Sequence, residues 1–273
     1  MTSTILTQGA NAKCGPRFWL ALAAAFWIVG MALASRLVAA PDEDQPPGAL
    51  WFVVHDLCVV DQSVTGLPWP CLVANLRQGF AVLRDPKHAT HILVVPTRRI
   101  VGIESPELLT PDAPNYWRDA WSARAAFERL VGHKVPRADI ALAVNSKPGR
   151  TQDQLHIHLD CVRPQVKATL ELHLGEIGRR WRILSVPLQT RRVWVRRIDS
   201  RDFSGADPFK LLAAGVAHTP QDRSLETLSA VGTDFGDGQP GFVLIRRRAD
   251  PAAGDLASGE DILDYGCRIL QPG

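Results

Sequence analysis

Charge of one sign is what this sequence most lacks. Its 31 Lys and Arg nearly balance 28 Asp and Glu, leaving a net +3. That balance gives no argument for nucleic acid as a partner. Internal repeats and low-complexity segments are also missing, which removes solenoids and tail-like disorder from consideration. No His-Glu-x-x-His run is present, so the commonest helical zinc motif is excluded. Cysteine is sparse, at five residues. What is present is an ordinary globular composition, 46% hydrophobic and 22% charged over 273 residues. That is enough for one large domain or two small ones.

One long uncharged run stands out. Residues 18–34 (FWLALAAAFWIVGMALA) carry no charge; Arg36 interrupts, and residues 37–40 add a little more. A membrane span needs about 20 apolar residues, with roughly 17 as a lower limit. Lys13 and Arg17 precede the run, and Asp42, Glu43 and Asp44 follow it. The positive-inside rule then predicts a cytoplasmic tail (1–17), a single transmembrane anchor (18–40), a Pro-rich linker (41–48, PDEDQPPG) and a domain (49–273) facing outward. In a bacterium this places the domain in the periplasm, anchored in the inner membrane. Ala32-Leu33-Ala34 also fits a signal-peptide cleavage site, which leaves the domain in the same compartment. Cys14 falls on the reducing side of this span. The other four cysteines permit three pairings, and spacing does not choose among them. The expectation is Cys58–Cys71, closing a short turn-rich loop, and Cys161–Cys267; four buried free thiols are the alternative.

The domain reads as α+β with an antiparallel sheet. Residues 50–60 suggest a short helix. Residues 79–83 and 91–96 suggest strands around a turn at Asp85-Pro86. Thr110-Pro111 has the form of a helix start, and a helix is predicted over 115–130, ended by Gly132. Its Trp117 and Trp121 fall at core spacing. Strands are predicted at 140–144, 181–188, 192–197 and 241–246, and a helix at 208–217. The basic clusters Arg191-Arg192, Arg196-Arg197 and 246–248 suit either anionic lipid headgroups or a solvated strand edge.

Chemistry concentrates in residues 145–164, NSKPGRTQDQLHIHLDCVRP. Leu155, Ile157 and Leu159 alternate with His156, His158 and Asp160, so a strand would present both imidazoles on one face. The preceding loop supplies amides, hydroxyls and cations suited to phosphate oxygens. Such an imidazole can act as nucleophile on phosphorus or as proton donor. The same pair could instead ligate a metal with Asp160, His133 or His173, or be two ordinary strand histidines.

The stretch resembles the histidine-triad superfamily, whose signature is His-φ-His-φ-His-φ-φ with φ apolar. His156 and His158 fall at its second and third positions, and Gln154 stands at the first. Residues 90–100 (THILVVPTRRI) resemble the superfamily's earlier strand. Residues 102–117 (GIESPELLTPDAPNYW), 143–164 and the N-terminal run together resemble the bacterial CDP-diacylglycerol pyrophosphatases. The resemblance is specific over 80–164 and weaker toward Cys267. It implies a HIT-like antiparallel sheet flanked by helices, and hydrolysis of CDP-diacylglycerol in the bilayer to CMP and phosphatidate. It further implies His156 as nucleophile, with a covalent nucleotidyl-histidine, and His158 bonding the phosphate oxygens. Asn145, Ser146, Arg150, Thr151, Gln152, Gln154 and Arg99 are the implied substrate contacts. The scheme calls for no metal and no cofactor, and it leaves the oligomeric state open. The rival readings are the same chemistry on another nucleotide ester, CMP transfer to an acceptor other than water, and a non-enzymatic metal- or lipid-binding module.

Overall fold

A computed structural model describes residues 46–215, 218–236 and 238–271. The expected tail and anchor, and residues 41–45 of the linker, lie outside these residues, as do the last two positions of the helix expected at 208–217. Among the described residues no helix is long and apolar enough to cross a membrane.

Helical turns open the domain: α1 (Ala49–Phe52), a π-helical segment (Val53–Val59) and α2 (Val60–Thr65) follow one another directly. Gly66, at φ 78°, ends them in the left-handed conformation a glycine adopts without strain. Two hairpin-forming strands follow, β2 (Phe80–Arg84) and β3 (Ile92–Pro96), with the short β1 (Val73–Asn75) on their outer edge. The helix expected over 115–130 is two helices, α3 (Tyr116–Ser122) and α4 (Arg124–Val131), with Ala123 between them. Thr110-Pro111 is not their start. Thr110 closes a 3-10 turn (Pro106–Leu109), and Asn115 is the cap, its side chain accepting from Arg118 N. Pro114 is the reason: the residue before a proline is held out of the helical region.

Beyond α4 come β4 (Ile140–Val144), β5 (Ile157–Val162), α5 (Pro164–Leu172), β6 (Arg182–Ile183), β7 (Trp194–Ile198), α6 (Pro208–Gly215), α7 (Pro220–Ser224), β8 (Glu226–Phe235), β9 (Gln239–Arg248) and β10 (Leu263–Asp264). All pairings are antiparallel, in the order β1-β2-β3-β5-β4-β8-β9-β7-β6, with β10 added to β5. The strand predicted at 181–188 shrinks to two residues, because Pro187 has no N–H to give a ladder and Gln189 and Thr190 turn the chain at positive φ.

The sheet is covered on both faces. Ile157 and Leu159 point to one side, into a core with Trp117, Trp121 and Phe127, so the tryptophans are core as expected. Ala141, Ala143 and Val162 point to the other, beneath Val166 and Leu170 of α5. Both expected disulfides form, Cys58–Cys71 and Cys161–Cys267. In the basic cluster at 246–248, Arg246 and Arg247 are buried within the sheet and Arg248 is exposed. β9 lies between β8 and β7, Arg246 is bonded to the fully buried Glu226, and Arg247 is held by Asp255 and Asp261.

Candidate active site

β5 runs through the middle of the sheet, and its alternation places His156, His158 and Asp160 opposite the tryptophan core. Across from His158 stand Leu93 of β3 and Ala143 of β4. The small Ala143 matters, because Gly259 passes directly over it: a Cβ on Gly259 would lie 3.1 Å from that of Ala143. A side chain there would crowd Thr227 and Asn145 as well, so glycine suits so close a passage. The segment 259–265 is thereby laid against the two histidines.

The His156 imidazole is fixed by one short bond. Its Nδ1 lies 2.7 Å from the carbonyl oxygen of Gln154. A carbonyl only accepts, so Nδ1 carries the proton and Nε2 keeps its lone pair. Burial, then the neighbouring His158, lowers the pKa of His156 to about 4. A neutral ring with a free Nε2 is the form a nucleophile requires.

His158 sits at the centre of a polar chain. Its ring is 4.8 Å from that of His156, edge-on. Its Nδ1 is 3.0 Å from His91 Nε2, and the His91 Nδ1 is 3.5 Å from an Asp85 carboxylate oxygen. Burial, then His158, holds His91 well below the usual histidine range, so it is neutral. The Nε2 of His158 faces Glu260 at 3.5 Å and the Asn145 amide at 3.4 Å. Asn145 is itself locked: its Oδ1 accepts from Gly259 N at 2.7 Å and its Nδ2 donates to Glu260 at 2.7 Å. Burial alone would raise the Glu260 carboxyl, but His158, the Tyr265 hydroxyl and the Asn145 amide outweigh it and bring it down to about 2. Glu260 is therefore a carboxylate aimed at His158, with Tyr265 donating to its other oxygen.

Of the residues expected here, the structure brings together His156, His158 and Asn145. The others have different partners. Ser146 donates to Leu256 O and receives Gly149 N. Gln152 accepts from Leu50 N. Gln154 is fully buried, donating to Pro96 O and Arg98 O and accepting from Ile100 N. Arg150 makes a two-pronged pair with Glu104 and reaches Asp153, in a passage that Gly102 keeps open for it. It still borders a small recess shared with Val144, Asn145, Leu155 and His156. Thr151 is exposed, and Arg99 is exposed over the Trp51 ring.

The metal arrangement imagined around His156 and His158 does not assemble from the residues named for it. His133 is exposed beyond α4, His173 engages Glu176, and Asp160 bonds Thr90. Sequence reasoning missed His91, Asp85, Glu260 and Tyr265. The first two stand in Asp85-x-x-His88-x-x-His91, a readable spacing. Tyr265 was one of only two tyrosines. Glu260 carried no signal, since only the fold brings it to the histidines.

A buried, neutral imidazole flanked by a second imidazole and an amide is an arrangement suited to an enzyme site. Comparison with known proteins gives the family. Residues 45–271 match the family model "CDP-diacylglycerol pyrophosphatase". The CDP-diacylglycerol pyrophosphatase of Yersinia pestis is 38% identical over 222 residues, covering 81% of this chain and 84% of its own. The chain belongs to the CDP-diacylglycerol pyrophosphatase family.

Proposed function

We propose that the chain hydrolyses the pyrophosphate bond of CDP-diacylglycerol to CMP and phosphatidate, by the histidine-triad route. The observation that carries the chemistry is the His156 Nδ1 bond to Gln154 O, which leaves Nε2 free to attack. Nε2 forms a bond to the cytidine-linked phosphorus, and the bridging P–O bond breaks. The departing phosphatidate keeps that electron pair and is met by a proton from His158 Nε2 or by solvent. Water then attacks the same phosphorus and breaks the P–N bond, releasing CMP and restoring His156. His158 and the Asn145 amide bond the phosphate oxygens while their charge shifts. Membership of the family supports the substrate.

A bilayer substrate also calls for a membrane-facing surface. Residues 18–40 serve as the single-pass anchor, with the domain on the periplasmic side of the inner membrane. Among the described residues, six of the ten exposed large apolar side chains fall between 60 and 76: Val60, Val64, Leu67, Trp69, Leu72 and Leu76. These residues follow closely behind the linker in sequence and suit contact with a bilayer surface.

The test is release of CMP from CDP-diacylglycerol in detergent by the parent and by His156→Ala, with trapping of the labelled nucleotide on protein after a rapid acid quench. Release by the parent, lost at least about a thousandfold in the variant, and label retained on the parent alone, is the expected result. Equal release by both proteins sinks the assignment of His156. No release by the parent sinks the substrate.

A further inference from the structure

Asp85 and His91 form the closing pair of the β2–β3 hairpin, Asp85 N donating to His91 O at 3.0 Å. The pairing sets their side chains next to each other. Asp85 Oδ1 accepts from Lys87 N at 2.7 Å, which tightens the turn, and Oδ2 is directed at His91 Nδ1. From the same turn His88 folds back over Tyr265, with ring centroids 3.9 Å apart. His91 stacks on Tyr265 as well, at 4.6 Å, and the two imidazoles are 5.8 Å apart with planes within 25°. Both imidazoles thus pack against the Tyr265 ring, beside the Asp85 carboxylate. One donor atom from each of the three residues lies within 4.8 Å of the other two. The Nδ1 of His91 is buried and makes no hydrogen bond within the normal range, which is the condition of a nitrogen with a ligand position to fill.

We propose that Asp85, His88 and His91 bind one transition-metal dication, with zinc the best match to two imidazoles and a carboxylate. Zinc accepts this donor set at about 2.0–2.2 Å, so closure needs only small side-chain shifts of the turn. The site lies outside the reacting histidines but is wired to one of them. A metal on His91 Nδ1 leaves the ring proton on Nε2, where it is donated to His158 Nδ1. His158 then carries its own proton on Nε2, the nitrogen that faces Glu260 and the space where substrate phosphate would sit. Metal-bound histidines characteristically donate their second nitrogen in this way. The metal would thus act as a positioning group for His158. That consequence rests on the proposed function, whereas the binding itself does not.

The experiment is titration of the chelator-stripped protein with Zn2+ against a chromophoric competitor, and with Co2+ followed by its visible spectrum. Parent, His88→Gln and Asp85→Asn are compared after circular dichroism has shown each folded. One ion per chain, a Co2+ spectrum of tetrahedral intensity and affinity at least about tenfold weaker in both variants are expected. Absence of stoichiometric binding by the parent, or binding unchanged in both variants, overturns the site. CMP release is measured on the same samples with and without Zn2+. Faster release by the loaded parent, with no such gain in His88→Gln, supports the link to His158, and equal rates with the site filled overturn the link while leaving the site.

Discussion

His156 is shaped by burial and by a single carbonyl, and both effects have measurable signs. Its pKa is lowered from 6.5 to about 4, so the reactive neutral ring persists down to mildly acidic pH. The acid limb of kcat/KM against pH is expected near 4 for the group that must be unprotonated; a limb at 6.5 would show His156 to be freely solvated. Asp160, four residues on, is the opposite case. Burial raises its carboxyl to about 7 despite bonds from Cys161 N and Thr90. A carboxyl raised above its unfolded value stabilises the fold while protonated, and that contribution is lost as pH rises through about 7. This group's contribution to Tm should fall between about pH 4 and 7 and level off above, and the fall should be smaller in Asp160→Asn. Gln154, expected among substrate contacts, fastens residues 96–100 and also lines the recess beside His156. Gln154→Ala leaves two buried carbonyls and an N–H unpaired and should cost about 2–3 kcal/mol in urea unfolding. The sequence made the histidines readable through strand alternation. It could not show that Ser146 bonds Leu256, that Gln152 accepts from Leu50 or that Arg150 pairs with Glu104, because those partners lie 46 to 110 residues away.

The elements that local pattern could reveal were those with local causes. β2, β3 and β4 are short apolar runs, and both disulfides matched the expectation. β8 was missed, since Glu226, Ser229 and Thr233 break its apolar pattern while the fold buries them. The 3-10 turn Gly259–Ile262 was missed too, though it delivers Glu260. Glu260→Gln removes the charge facing His158 while keeping the shape, and kcat should fall roughly 10–100-fold with little change in KM. An unchanged kcat would reduce Glu260 to a structural role. Cys161–Cys267 closes a loop of 106 residues and ties β5 to the chain just past Tyr265. Replacing both cysteines by alanine should lower Tm by roughly 10 °C, from about 4 kcal/mol of lost cross-link stabilisation.

At the scale of the whole molecule, one sheet carries the apparatus and the segment 60–76 carries the exposed apolar surface. Val64→Asp with Leu67→Asp should weaken sedimentation with anionic phospholipid vesicles severalfold while leaving hydrolysis of a short-chain, water-soluble substrate unchanged. Loss of both activities together would point to misfolding instead. The placement of Glu260 and Tyr265 has a further consequence, in time. A ribosome delivers residues in order, so His91, Asn145, His156 and His158 all exist while the carboxylate that faces His158 is still a hundred residues from being made. Until 259–267 has been laid over Ala143 and joined to Cys161, His158 lacks the carboxylate that faces its Nε2. The carboxylate that faces His158 is thus supplied by a segment made well after the histidines themselves.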